Sequence, residues 1–200
     1  MKRAIAVVCA LVWAGALYSC RSSPPEHFYT LKSTAQSAQP QSAAAQSTAP
    51  ICIVVGPVTI PAIVDRPQIV AYRGANQVTL AEQSRWAEPL APAISRVVAD
   101  DLSVLLAAKA WSSTGTALAD PDFRVSFAVQ RFETVLGQAA TIEVLWTVRA
   151  AKGGAVKTGR SVVSEPAGGG DYDAVVAAFD RSLTSVSGDI AAAIRGMTPG

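Results

Sequence analysis

Apolar and polar residues alternate with period two through Phe123, Val125, Phe127 and Val129, set against Arg124, Ser126, Ala128 and Gln130. The alternation returns at Ile142, Val144, Trp146 and Val148, against Glu143, Leu145, Thr147 and Arg149, and a third run covers residues 155–164 after Lys152-Gly153-Gly154. Alternation interrupted by glycine turns predicts an antiparallel meander with one buried face. Upstream, residues 51–55 and 68–73 also have strand character, the second ending at Gly74-Ala75-Asn76. Two stretches switch to a helical period. Leu90, Ile94, Val97, Val98, Leu102, Leu105 and Leu106 follow Pro89 and Pro92, prolines suited to a helix start. Asp171 then stands as an N-cap before a stripe of Tyr172, Val175, Val176, Phe179, Leu183, Val186, Ile190 and Ile194, with Gly196 and Pro199 as stop signals. Each stripe reads as core, because a meander needs its apolar side covered. The order of elements predicts an α+β fold, an antiparallel sheet with a central-to-C-terminal meander and two main helices packed on one face.

The N-terminal pattern is of another kind. Met1-Lys2-Arg3 precedes an uncharged run over residues 4–17, shorter than the roughly 20 residues of a membrane-spanning helix. It closes on Leu17-Tyr18-Ser19-Cys20, which resembles the bacterial lipobox, with Tyr18 larger than usual. Residues 1–19 are therefore expected to be a cleaved signal peptide and Cys20 a lipidated N-terminus. Residues 20–50 read as a lipidated tether and flexible segment: from Lys32 to Pro50 they are Ala, Gln, Ser, Thr and Pro with a single charge, too polar to offset their ordering entropy. Residues 28–31 are an aromatic patch with the character of an edge strand. Residues 51–200, about 150 of them, suffice for a single α+β domain in the periplasm.

Charge and cysteine content narrow the classes. The chain has 17 basic and 15 acidic residues; loss of Lys2 and Arg3 with the signal leaves 15 against 15. A neutral mature chain without a basic block is not a nucleic-acid binder. Of three cysteines, Cys9 leaves with the signal and Cys20 carries lipid, so an internal disulfide is excluded and Cys52, inside an apolar run, reads as a small core residue.

The residues offer little for catalysis. The one histidine, His27, lies beside the tether, which argues against a Ser-His-Asp or Cys-His arrangement. No zinc-ligand spacing and no phosphate-cradling loop is present in the sequence. Asp100-Asp101, Asp120/Asp122 and Asp171/Asp173 have ordinary explanations on helix faces, in a turn and at a helix start. The reading is of a protein that is not an enzyme, with no catalytic residue, metal or cofactor.

One region is unusual. Gly56-Pro57-Val58-Thr59-Ile60-Pro61 leads to Asp65-Arg66-Pro67-Gln68-Ile69-Val70, and Arg85-Trp86-Ala87-Glu88-Pro89-Leu90 follows. Its structural reading is an arginine stacked on Trp86 and paired to Glu88, fixing a loop. Its functional reading is a recognition surface, where Arg and aromatic residues concentrate. The candidate interaction residues are Pro57, Pro61, Asp65, Arg66, Pro67, Arg85, Trp86 and Glu88.

With Phe28-Tyr29-Thr30-Leu31 and Arg131-Phe132-Glu133, these blocks resemble the PqiC-like lipoproteins, auxiliary components of ABC-type and MCE transport systems. The resemblance spans nearly the whole mature chain, with a longer Ala/Gln/Ser/Thr stretch after Leu31. It implies a non-enzymatic accessory on the periplasmic side of the outer membrane, and Arg21-Ser22 after Cys20 agrees with that address. The implied partners are an MCE-domain, periplasm-spanning protein and its inner-membrane transporter. Self-association within the family adds a homo-oligomer, a ring docked on a tunnel's end. The alternative reading is a lipoprotein that binds a small apolar ligand, such as a lipid, between sheet and helices.

Overall fold

In a computed structural model of the chain, described for residues 24–35, 50–74, 76–114 and 120–197, ten elements follow one another. They are β1 (His27–Tyr29), β2 (Cys52–Thr59), β3 (Gln68–Arg73), β4 (Gln77–Trp86), α1 (Leu90–Leu106), β5 (Lys109–Ser112), β6 (Phe123–Val135), β7 (Ala139–Ala150), β8 (Val156–Pro166) and α2 (Tyr172–Arg195). The fold is α+β. Cys20 and the rest of the signal and lipobox region lie outside the described residues, as do residues 36–49.

The meander expected from alternation is β6-β7-β8, antiparallel throughout, with Val125↔Val148 and Trp146↔Gly159 among its partners. It continues on its other side into two parallel pairs, β6 with β2 and β2 with β5, which makes a five-stranded mixed sheet in the order β5-β2-β6-β7-β8. A second sheet of three strands, β1-β4-β3, pairs β3 and β4 antiparallel and β1 and β4 parallel. Period-two patterning marks a strand but carries no information on the direction of its neighbour.

Helix α1 packs on β2 and β5, α2 on β7 and β8, and the helices on each other. Their apolar stripes are core: Ile94, Val97, Leu102, Leu183, Val186, Ile190 and Ile194 have no exposed surface. The helix ends are made as their residues dictate. Asp171 accepts the Ala174 N–H at 2.9 Å, an N-cap in extended conformation. α1 starts behind Pro89 with no side-chain cap, and the prolines at 89 and 92 fall where helical N–H groups have no partner in any case. No helix among the described residues is long and apolar enough to cross a membrane.

Three expectations need correction. Cys52 is half-buried at the start of β2, because its neighbours Ile53 and Val55 take the inward positions of that strand. His27 belongs to β1 and so to the folded body. The stretch read as flexible from Lys32 is packed as far as Ala35: Leu31 and Ala35 are fully buried, and the polar residues between them bond to the helices. Composition measures how much apolar surface a segment owns, whereas these residues are held chiefly by hydrogen bonds.

Candidate functional site

The blocks singled out in the sequence converge on the C-terminal end of β4. Parallel pairing sets Phe28 beside Arg85 and Tyr29 beside Trp86, and the ladder goes one step further as the Ala87 N–H donates to the Tyr29 carbonyl at 2.8 Å. On the other side, the Trp86 N–H donates to the Pro67 carbonyl at 2.7 Å. The backbone of Trp86-Ala87 is thus gripped by the entering segment and by the Asp65-Arg66-Pro67 loop. That loop is a tight turn, with Val64 N–H bonded to the Pro61 carbonyl (3.0 Å) and Arg66 N–H to the Val64 carbonyl (2.9 Å).

Side chains divide between structure and surface. Trp86, 7% exposed, sits edge-on to Phe132 at 6.2 Å and tilted against Phe179 at 6.5 Å, while Phe132 and Phe179 stack at 3.8 Å. Such aromatic clusters add about 0.5–1.5 kcal/mol per pair beyond the area they bury. The arginine expected on Trp86 is not there, and neither is an Arg85–Glu88 pair. Arg85 points across β1 and pairs with Glu26 at 3.2 Å, because strand alternation sends it to the face opposite its neighbour Trp86. Glu88 pairs instead with Arg96 of α1 at 2.6 Å and accepts the Thr30 hydroxyl at 2.9 Å; Arg96 also donates to the Leu31 carbonyl at 3.1 Å. Glu88 is therefore a fastening for the segment after β1. Arg96 has no mark in the sequence, being one more charge on a helix.

What is left uncommitted is the Asp65-Arg66 pair. Both residues are exposed, and neither side chain has a hydrogen bond or ion pair among the described residues. With Pro67, Ala87 and Pro89 they border a depression of about 370 Å³ whose remaining lining is Trp86, Glu88 and Leu90. Trp86 and Leu90 (2% exposed) are anchored in the core below it. The arrangement is a rigid apolar floor with one free acid and one free base on its rim, suited to recognition of a protein surface. Asp65, Arg66, Pro67, Trp86 and Glu88 share this place. Pro57 does not: it follows Gly56 at the β2 bulge and lines the open face of the large sheet with Thr59, Leu145 and Arg160. Pro61 opens the turn that carries Asp65, and Arg85 belongs to the opposite face of the small sheet.

Among the described residues every buried side-chain nitrogen or oxygen has a partner. Asp101, fully buried on α1, accepts from Ser187 at 2.9 Å and from the Ser33 hydroxyl. Ser161 donates to Asp189 at 2.6 Å and accepts from the Trp146 indole N–H at 3.0 Å.

The model of the ABC-type transport auxiliary lipoprotein component matches residues 29–191. No curated protein matches the chain in sequence. Among solved structures, the chain is similar to a crystal structure of an uncharacterized protein, with a TM-score of 0.68 and 17% identity over 86% of this chain and 99% of that one. It is also similar to protein XCC0632 from Xanthomonas campestris, with a TM-score of 0.61 and 23% identity over 84% of this chain and 93% of that one.

Proposed function

The chain belongs to the ABC-type transport auxiliary lipoprotein family, and on that premise we propose that it is a docking subunit of an MCE-type lipid-transport assembly. It is an auxiliary lipoprotein component of an ABC-type transport system. In this reading Cys20 carries the acyl anchor, the outer membrane holds it from the periplasmic side, and the folded body engages a periplasm-spanning MCE-domain protein without catalysing a reaction. A second copy of the chain beside it completes the picture of a ring.

The observation that carries the reading is the free Asp65-Arg66 pair at the rim of the Trp86–Leu90 depression, where the other charged residue, Glu88, is already used inside the fold. A partner that supplies the opposite charges gains both ion pairs and the desolvation of a preformed apolar floor. Binding of an apolar ligand between sheet and helices has less support, since Ile142, Val144, Phe179, Leu183 and Ile190 fill that space at no more than 1% exposure.

The test is co-purification from membranes with the transport assembly. D65R/R66E is expected to lower recovery of the partner at least tenfold while its denaturation midpoint stays that of wild type, because both side chains are exposed and neither has a hydrogen bond or ion pair among the described residues. Undiminished recovery would remove this surface from the proposal.

A further inference from the structure

The face of the five-stranded sheet turned away from the helices carries a row of residues with no acid in it. Val125, Phe127, Val144, Trp146 and Val148 belong to the core that the helices share, so period two sends Arg124, Ser126, Leu145, Thr147 and Arg149 to the other side. There Arg124 of β6 stands directly opposite Arg149 of β7, and both are exposed. Their outer neighbours in the row are Val54 of β2 and Val156 of β8. Like charges in this position repel and weaken the pairing. The chain offers no relief. Its 15 acidic residues are all among the described ones, yet neither guanidinium has an ion pair or a hydrogen bond among them. Arg131 and Arg160 of the same sheet do have an acid, Glu133 at 2.6 Å and Glu143 at 2.9 Å. Asp122, two residues before Arg124, instead accepts the Cys52 N–H at 2.9 Å.

One row along, Ser126, Thr147 and Thr158 stand side by side on β6, β7 and β8. None of these hydroxyls has a hydrogen bond among the described residues. They border a depression of about 700 Å³ that continues past Pro57 and Leu145, the latter 44% exposed. Successive rows on one face are about 7 Å apart, a step that an extended arginine side chain covers.

We propose that Arg124 and Arg149, together with the hydroxyls of Ser126, Thr147 and Thr158, bind a phosphate group. Two guanidinium forks already fill the roughly four acceptor positions of a carboxylate, whereas a phosphate has oxygens left for the hydroxyls. A bound anion removes the repulsion between the two arginines, so the ligand stabilises the sheet that holds it. The depression beside it gives room for an organic group attached to the phosphate. The phosphate is either that of a lipid headgroup or free phosphate, and the chemistry at the arginines is the same. The site shares no residue with the Asp65-Arg66 depression and does not rest on the docking reading.

Amide resonances of Ser126 and Thr147 in the full mature chain, held in maltoside micelles, report on the site. The probes are inorganic phosphate and dihexanoyl phosphatidylglycerol, with acetate at equal ionic strength as the control. Both resonances are expected to shift and saturate with a phosphate probe and not with acetate. R124Q/R149Q is expected to bind weaker by roughly tenfold or more, and R66Q/R73Q, which removes equal charge elsewhere, to bind as wild type does. Tighter binding of the lipid assigns the phosphate to a headgroup; equal or tighter binding of inorganic phosphate assigns it to solution. No saturation with either probe, the same response to acetate, or undiminished binding by R124Q/R149Q overturns the proposal. That variant loses a like-charge pair, so its denaturation midpoint is expected at or above that of wild type. Should it fail to fold, the wild-type response to phosphate against acetate decides.

Discussion

Trp86 and its neighbour Ala87 touch four parts of the chain that stand far apart in sequence: the Trp86 N–H meets Pro67, the Ala87 N–H meets Tyr29, and the Trp86 ring meets Phe132 and Phe179. Trp86→Ala is expected to lower unfolding free energy by about 3 to 5 kcal/mol in urea denaturation, the usual cost of emptying an aromatic site in a packed core. A loss below about 1 kcal/mol would mean that the floor of the depression is not fixed by this ring. At this scale the sequence was partly legible. Asp65, Arg66 and Trp86 stand out as an unusual cluster, and Asp171 is an N-cap by type and place. Arg96, Asp101 and Asp180 look like ordinary helix charges, because what distinguishes them is the direction of a side chain into a crossing segment that their own helices do not encode.

Elements with a single uninterrupted period could be read directly. The two helices and β7 are of this kind, and their stripes are the core; β6 keeps its period as far as Val129, where its pairing with β7 shifts register. β4 could not, since a register shift between Gln68 and Ile69 interrupts its pairing, so its buried residues Ala81, Ser84 and Trp86 do not keep a period of two. β5 is four residues long, too short to show a period. β1 pairs in parallel with a partner 57 positions away, and parallel pairing has no hairpin turn to announce it. The end of α1 offers a test of element energetics. Ala107 closes the helix in the left-handed region at φ 48°, where a side chain is strained and glycine is not. Ala107→Gly is expected to raise stability by about 1 kcal/mol, readable as a higher urea midpoint with an unchanged slope. A fall in midpoint would show that the backbone there is not strained.

For the molecule as a whole, the fold class and the family resemblance were legible because they rest on periods and on motif blocks held in order. The site was not, because its geometry depends on β1, the Asp65 turn and the end of β4 meeting at one point. That meeting explains why Phe28-Tyr29-Thr30-Leu31, Asp65-Arg66-Pro67 and Arg85-Trp86-Ala87-Glu88-Pro89-Leu90 occur together: they form one structural unit, most of it consumed in holding itself. The surface left over is small, and it is the proposed docking site for a transport partner. Its most direct test is photocrosslinking in living cells from a photoreactive residue placed at Arg66, with Thr158 on the open sheet face as the comparison position. A covalent adduct from position 66 with an MCE-domain component of the transport assembly is expected, and a much weaker one from position 158. No adduct from position 66, with the protein folded and membrane-bound, would contradict it.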